Sequence, residues 1–426
     1  MCSCRANRGR LLGILIVAAF AACSESATDT SPQPAEVVVE PSEATLDVSD
    51  TLRLAATVYD TEGNPVQGSV NWESLHPEVA DVDAFGLVTA YASGRIDIYA
   101  VYEGSAGATS VSGSSLITVN CVTPPPVLVR ITTDAAMQNS PAISGMRIVW
   151  QDWRNHPADD ADIYLYDLET QQETRLTPNS AWQGLPDIWG DRVVWSDTRN
   201  GLQAIYMHDL STGQERRLAI APRVQSSPSI EGDRVVWQEN DGVDYDIYMF
   251  DIGTSSYTQL TDQPGDQKNP RISGRRVVWV DESGADFDVI VYDLDTSQET
   301  RLTDGEPGNQ QAPAISGDRV VWQYVPNVWV HDLSTGARAN LTDGLGANLP
   351  DIDGDWVTWV GSQLVARNLE TGEEWQVGYQ DFVAHSEPRI SGRRVVWERI
   401  ETSEFDIYMI EIPEPCQNNF VSERRP

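Results

Sequence analysis

The sequence predicts an all-β chain in which a small β-sandwich is followed by a seven-bladed β-propeller, and three observations support this. A short segment that runs from glycine through arginine and aliphatic residues to tryptophan returns seven times, about 42 residues apart. Most of these repeats contain four short apolar segments, as a four-stranded propeller blade requires. The last repeat lacks its fourth segment, and the chain ahead of the first repeat supplies a matching one.

The first 22 residues are predicted to be a signal peptide. Three arginines precede an apolar run of 12 residues (11–22), which is too short to span a bilayer. The run ends in small residues before Cys23 and resembles a bacterial lipobox, although Phe20 stands where leucine is usual. This resemblance implies lipidation of Cys23, with residues 23–35 as a tether to the cell envelope, either on the outer membrane, at the cell surface or in the periplasm. A leader cut near Ala22, with Cys23 incidental, is the alternative.

The charge balance restricts the classes of partner. The chain has 64 acidic and 29 basic residues and a formal charge of −35, and Lys268 is its only lysine. Such a surface repels phosphate backbones and anionic lipid headgroups. We therefore expect no nucleic-acid partner, and membrane association only through the lipid anchor.

Residues 36–120 are predicted to form the β-sandwich. Five segments rich in β-branched and aromatic residues alternate with turns such as Asn64-Pro65 and Phe85-Gly86. The segments VEPSEATLDVSDTLRLAATVYDTEGNPV, VNWESLHPEVADVD and GLVTAYASGRIDIYAVYEG resemble a group 2 bacterial immunoglobulin-like domain. The resemblance implies Trp72 as the core tryptophan and a role as a spacer or an adhesive unit. Residues 121–126 are assigned as a linker.

Residues 127–413 are predicted to form the propeller. The repeated segment reads GDRVVW in its commonest form, and a DIYMYDL-like and a TRLT-like segment follow it in most repeats. Near-continuous apolar strands are expected where a sheet is covered on both faces, as each blade is by its neighbours. The seven closing tryptophans are Trp150, Trp195, Trp237, Trp279, Trp322, Trp359 and Trp397.

The N-terminal strand 127–132 is expected to complete the last blade and close the ring. Closure removes the exposed sheet edges. Since this strand would run antiparallel to 406–412, Cys121 and Cys416 should reach the same corner, and we predict a disulfide between them. Two unpaired thiols are the alternative. Residues 414–426 are assigned as a C-terminal tail.

The repeats resemble the blades of the TolB-like propeller family through their ISGDRVVW, DIYMYDL-like and TRLT-like segments. The resemblance spans all seven repeats and implies the fold. It does not imply membership of the Tol assembly, because this chain carries the Ig-like module instead of the N-terminal α/β domain of TolB.

A ligand site is expected on the face with the variable loops, around the axial channel, since loops on a rigid scaffold commonly carry binding residues. Aromatic faces beside arginine and asparagine suit a sugar or a peptide, although these stretches are also typical of plain turns. The candidate contacts are Trp153, Arg154, His156, Trp182, Arg199, Asn200, Tyr245, Lys268, Phe382 and His385.

No resident cofactor or metal is expected. The acidic cluster at 159–162 lacks the ligand spacing of a calcium loop, although calcium remains an alternative. Acids that recur after the tryptophans and at the ends of the third strands indicate turn-forming roles. Two histidines that could approach each other, His156 and His385, are too few to define a zinc site.

The function predicted from the sequence is binding of an envelope protein or an extracellular glycan, without catalysis, because no catalytic motif is found. Two alternatives stay open. One is a propeller polysaccharide lyase or another glycan-active enzyme; a lyase acting on acidic sugars should show a central cluster of arginine, Lys268 and histidine. The other is a purely structural subunit of an envelope complex.

Overall fold

The computed structural model describes residues 33–104, 110–121, 125–155, 160–219, 222–344, 346–377, 387–400 and 404–414. These residues are all-β and divide into two compact units, with the boundary at residues 123–124. The described residues contain no helix that is long and apolar enough to cross a bilayer. The predicted leader, Cys23 and the tether up to residue 32 lie outside the described residues.

The first unit consists of ten strands in three sheets of three, four and three strands. In chain order they are Pro34–Glu40 (β1), Glu43–Asp47 (β2), Thr51–Arg53 (β3), Ala55–Asp60 (β4), Pro65–Val66 (β5), Asn71–Ser74 (β6), Ala80–Val82 (β7), Leu87–Ala90 (β8), Gly94–Tyr102 (β9) and Val111–Asn120 (β10). The sheet orders are β1-β4-β5, β2-β10-β9-β6 and β3-β8-β7.

Alternating side chains from these sheets meet in one hydrophobic core, to which Ile98 and Ile117 are fully buried contributors. Trp72 packs against this core as a half-buried side chain, as the sequence indicates. Its ring leaves no room for a side chain at Gly86, where a Cβ would lie 2.9 Å from Trp72 Cζ2 and φ is +79°. A glycine is therefore required at this turn.

The second unit has seven four-stranded sheets, which confirms the predicted propeller blades. The closing strand is Val127–Arg130 (β11), and the first four blades are Gln138–Ser144 (β12), Arg147–Asp152 (β13), Asp162–Asp167 (β14), Gln172–Arg175 (β15); Gln183–Trp189 (β16), Arg192–Asp197 (β17), Ala204–Asp209 (β18), Gln214–Arg217 (β19); Val224–Glu231 (β20), Arg234–Asn240 (β21), Tyr245–Asp251 (β22), Ser256–Gln259 (β23); Gln267–Ser273 (β24), Arg276–Asp281 (β25), Asp288–Asp293 (β26), Gln298–Arg301 (β27).

The remaining blades are Gln311–Ser316 (β28), Arg319–Tyr324 (β29), Asn327–Asp332 (β30), Arg338–Asn340 (β31); Asn348–Asp353 (β32), Trp356–Val360 (β33), Leu364–Asn368 (β34), Glu374–Val377 (β35); and Arg389–Ser391 (β36), Arg394–Ile400 (β37), Phe405–Glu411 (β38) with β11. Blades are numbered 1 to 7 in this order. The first strand of each blade lies innermost, and neighbouring strands in a blade are antiparallel.

Ring closure by the N-terminal strand is present as predicted. Strand β11 pairs antiparallel with β38, with Val127 opposite Glu411 and Arg130 opposite Tyr408. Strand β12, the first strand of blade 1, packs on strands β36, β37 and β38 of blade 7. The last blade is thus built from both ends of the propeller sequence.

The repeated tryptophans fill the spaces between blades. Six of the seven are at most 1% exposed, and Trp359 is 4% exposed. In one such layer, Trp195 of blade 2 packs with Val149 and Ile163 of blade 1. Burial of large apolar side chains between adjacent sheets is the main force that holds the blades together.

Short turns on one face of the ring use the recurring aspartates. Asp167 Oδ1 accepts the backbone N–H groups of Glu169 and Thr170, and these bonds lower the pKa of Asp167. Equivalent bonds form at Asp209, Asp251, Asp293 and Asp332. The turn-forming role expected for these residues is confirmed.

A belt of hydrogen bonds joins neighbouring blades on the same face. The guanidinium of Arg147 donates to the carbonyl of Gly190 and to Asp191 of the next blade, and Arg192 repeats this with Gly232 and Asp233. The arginine and aspartate of the repeated motif therefore connect neighbouring blades, in addition to contacts within a blade such as that of Arg147 with Asp167.

Candidate functional site

The innermost strands enclose an axial channel whose upper part is a cavity of about 450 Å³. It opens on the face with the variable loops. Seven residue–proline pairs, one from each blade, form its wall: Ser140-Pro141, Leu185-Pro186, Ser227-Pro228, Asn269-Pro270, Ala312-Pro313, Leu349-Pro350 and Glu387-Pro388.

A β-bulge in the innermost strand places these pairs on the channel wall. In blades 1 to 6 the strand register shifts next to the pair, and the residue before proline has a left-handed backbone, with φ of +52° at Ser140 for example. Such a bulge leaves a backbone N–H without a strand partner. The residue after the repeated tryptophan of the preceding blade accepts that N–H at three bulges. Gln238 binds Asn269, Gln323 binds Leu349, and Glu398 binds Ser140.

Below the prolines the channel is lined by a ring of residues that we call the waist. It is formed by the residue that follows each proline, and an isoleucine buried between blades comes next in the sequence. The waist residues, in blade order, are Ala142, Asp187, Ser229, Arg271, Ala314, Asp351 and Arg389. Below the waist a second cavity of about 250 Å³ leads to the opposite face.

The waist carries two guanidinium groups and two carboxylates. Arg389 lies between both acids, with Nη2 3.7 Å from Asp187 Oδ1 and Nη1 3.7 Å from Asp351 Oδ1. These three side chains are only 14–16% exposed. Burial raises the pKa of Asp351 even though Arg389 and Arg271 oppose the shift. Burial and the nearby Arg389 lower the pKa of Arg271.

The remaining oxygens of the two acids bind backbone groups of the next blades. Asp187 Oδ2 accepts the N–H of Ile230, and Asp351 Oδ2 accepts that of Ile390, both at 2.9 Å. The carboxylates are thereby held in place, so the arrangement is preorganised.

One candidate residue, Lys268, is connected to the wall of the upper cavity through its ion pair with Glu282. Lys268 lies 3.1 Å from Glu282, a residue of the cavity wall, and also pairs with Asp266. Its ammonium nitrogen lies 5.4 Å from the ring centre of Tyr245. Although burial opposes it, hydrogen bonding to these two acids raises the pKa of Lys268.

The candidate arginines are held in ion-pair networks away from the cavity wall. Arg154 binds Asp152 and Glu173 at 2.6 Å each and lies 4.3 Å above the ring of Tyr164. Arg199 pairs with Asp197 and Glu215 and covers Tyr206 at 4.4 Å. Hydrogen bonds to these acids raise the pKa of both arginines, although burial works against the shift.

The other candidates are distributed in the same way. Asn200 donates to the hydroxyl of Tyr206, and the half-buried Trp153 and Trp182 also lie away from the cavity wall. His156, Phe382 and His385 lie outside the described residues. Cys121 is disulfide-bonded, whereas Cys416 lies outside the described residues, so the predicted pairing stays a prediction.

The acids two residues after the repeated tryptophans bind polar groups of their own blade. Asp152 accepts the indole N–H of Trp150 and the backbone N–H of Arg154, and Asp197 does the same for Trp195 and Arg199. Asp162, from the acidic cluster, is fully buried and binds Arg175 and Asn155. Within the described ranges, no group of three or more histidine, cysteine or acidic side chains is arranged to hold a metal ion.

Sequence reasoning missed the waist, although its signal is present in the sequence. At or just before each innermost strand the sequence has a proline, one variable residue and an isoleucine, as in LPDI (185–188), NPRI (269–272) and EPRI (387–390). The variable residue is aspartate or arginine in four blades. A charged residue between two apolar positions of a buried strand indicates a channel wall.

Comparison with known proteins identifies the first unit and supports the fold of the second. Residues 35–112 match the bacterial Ig-like domain (group 2). Among curated proteins, none is significantly similar to the chain in sequence.

Solved structures share the architecture at low identity. An oligogalacturonate lyase in complex with manganese is 14% identical and has a TM-score of 0.53, with 76% of this chain and 98% of that chain covered. Puromycin hydrolase is also 14% identical and has a TM-score of 0.52, with 68% and 55% covered. TolB from Acinetobacter baumannii is 16% identical, with 72% and 79% covered, and has a TM-score of only 0.39.

These comparisons correct one expectation. The assignment of the chain as not an enzyme is wrong, because solved structures that share its fold include a lyase and a hydrolase. The lack of a familiar catalytic motif was the reason for that assignment. Propellers host different chemistries at sites made by individual side chains, so a missing motif does not exclude catalysis.

Proposed function

We propose that the protein is an envelope-associated glycan-binding protein, and that the ligand occupies the upper cavity of the axial channel. The preorganised waist of Asp187, Asp351 and Arg389 beneath this cavity is the observation that carries the proposal. Carboxylates held by backbone N–H groups, with a guanidinium placed between them, can bind several hydroxyl groups of a sugar without further ordering.

The size of the cavity favours a glycan over a folded protein partner. About 450 Å³ lies within the usual range for small-ligand sites and suits one or two sugar residues. The wall combines the apolar side chains of Leu185, Leu349 and Val280 with the polar Gln311 and Gln323. Sugar rings present both kinds of surface, so the lining complements them.

The location is argued from the sequence. An arginine-bearing n-region, a short apolar run and a following cysteine support export and lipid anchoring at Cys23. The Ig-like domain then serves as a spacer that presents the propeller.

The described residues do not form the cluster expected for an acidic-sugar lyase. Lys268 is bound to Asp266 and Glu282, and the waist has as many carboxylates as guanidinium groups.

The test is binding of a panel of neutral and acidic polysaccharides to the purified, oxidised mature chain, with the length of each polysaccharide measured afterwards. Gln311→Trp places a large ring at an exposed position of the cavity wall and should abolish retention. Gln298→Trp, the same change on an exposed outer strand, is the control and should retain the glycan. A shortened product would identify turnover.

Retention of an envelope protein without any glycan would contradict the proposal, as would glycan binding that Gln311→Trp leaves intact.

A further inference from the structure

Only one of the two guanidinium groups of the waist, that of Arg389, forms ion pairs with the two carboxylates. Asp187 and Asp351 each direct one oxygen to Arg389 and the other to a backbone N–H of the next blade. Both carboxylates are therefore engaged with one of the two guanidinium groups.

Arg271 is the second guanidinium of the waist and lines both the upper and the lower cavity. Among the residues that the structure describes, none forms an ion pair or a hydrogen bond with its side chain. Its neighbours in the ring, Ser229 and Ala314, are small and uncharged. Arg271 thus has five N–H donors and free space around them.

We propose that Arg271 binds a carboxylate of the ligand at the waist, so that the glycan recognised by the channel carries an acidic sugar. This inference rests on the proposed function, since it names the ligand class of the same cavity. A guanidinium binds a carboxylate through two parallel hydrogen bonds, which gives orientation as well as attraction.

The electrostatics of the channel support a bound anion. Burial and Arg389 lower the pKa of Arg271, although the charges of Asp187, Asp351 and Glu387 oppose the shift, so the waist residues stabilise its charged form incompletely. A carboxylate would supply the missing partner. The large negative charge of the whole chain opposes the approach of such a ligand, but repulsion between charges more than about 8 Å apart is largely screened at physiological salt.

The experiment measures the affinity of the mature chain for D-glucose, D-glucuronate and acetate by isothermal titration calorimetry. Arg271→Gln should fold normally because uncharged residues occupy the waist in three other blades. Arg275→Gln, which removes the same charge from a side chain that is 52% exposed on the face with the short turns, is the matched control.

We expect glucuronate to bind at least tenfold more tightly than glucose to the unmodified chain and to the Arg275→Gln variant. In Arg271→Gln the affinities for glucuronate and glucose should be about equal, and acetate binding should be lost. Equal affinity for both sugars, or a preference that survives in Arg271→Gln, would overturn the inference while leaving glycan binding in place. Loss of acetate binding in Arg271→Gln together with no binding of any sugar or polysaccharide would support the anion site and overturn the proposed function instead.

Discussion

Arg130 and Asp406 are 276 residues apart in the chain, yet the guanidinium of Arg130 donates to Asp406 at 2.7 Å. Thr132 donates to the other carboxylate oxygen and accepts the backbone N–H of Ile407. Inside continuous blades the same arrangement joins Arg301 and Thr303 to Asp288. The closing strand therefore reproduces the side-chain contacts of an ordinary fourth strand as well as its backbone pairing.

Asp406→Ala should open the ring at this seam. The carboxylate is 8% exposed, and its loss leaves Arg130 and Thr132 without their shared partner. Leaving the buried Thr132 hydroxyl and the 39% exposed Arg130 without this acceptor costs about 1–3 kcal/mol. We expect a lower unfolding temperature and rapid proteolytic cleavage around residues 125–132.

Asp246→Ala is the control for that variant, because Asp246 binds Thr261 in the same way within the continuous chain of blade 3. It should lower stability without exposing residues 125–132 to protease. Equal cleavage in both variants would show that the closing strand is not selectively released.

The disulfide of Cys121 gives a second test of closure. We expect a peptide map without reductant to show Cys121 linked to Cys416. Replacing both cysteines by serine should lower the free energy of unfolding by up to about 5 kcal/mol, because the bond closes a very long loop. A link from Cys121 to another chain, or a map in which Cys416 is free, would refute the pairing.

The sequence predicts the fold better than the site, for a physical reason. Buried positions such as those of Trp150 and Ile148 hold tryptophan and a β-branched aliphatic residue in every blade, so they repeat visibly and define the strands. The side chains that line the channel differ from blade to blade. At Asp187 and Arg271 the residue type differs from that in most other blades. A comparison of the repeats therefore does not reveal that these positions line the same channel.

Residues of the variable loops are difficult to assign as ligand contacts from the sequence, for the opposite reason. Arg154 and Arg199 lie in exposed, irregular segments and resemble ligand contacts in the sequence. In the fold they satisfy the buried Asp152 and Asp197, which in turn bind indole N–H groups. A buried carboxylate needs a counter-ion, but the sequence does not show that the carboxylate is buried.

Arg199→Ala tests this structural role. It should destabilise the propeller by about 3 kcal/mol, because Asp197 has no exposed surface and loses its ion pair. Glycan affinity should change by less than about twofold. Calorimetric unfolding and the binding assay measure the two effects, with the half-exposed Arg275→Ala expected to cost less than about 1 kcal/mol. Loss of binding with unchanged stability would return Arg199 to the ligand site.

Glu398 should make stability depend on pH. It is the only carboxylate among the residues that directly follow the seven repeated tryptophans, it is 7% exposed, and it accepts the N–H of Ser140 across the seam between blades 7 and 1. Burial raises its pKa from 4.5 to about 7. Between these values the folded chain keeps a proton that the unfolded chain has lost, so stability falls as pH rises from 4.5 to 7.

Glu398→Gln retains the acceptor for Ser140 and removes the ionisable group. Each unit of pKa shift corresponds to about 1.4 kcal/mol, so the variant should be more stable than the unmodified chain by about 3 kcal/mol at pH 8 and by almost nothing at pH 4.5. Urea unfolding followed by tryptophan fluorescence reports the propeller, since Trp72 alone lies outside it. Gln238→Glu, which places a carboxylate at the equivalent bond to Asn269, should create a second slope of the same sign. A constant difference between Glu398→Gln and the unmodified chain across this pH range would show that Glu398 is not the titrating group.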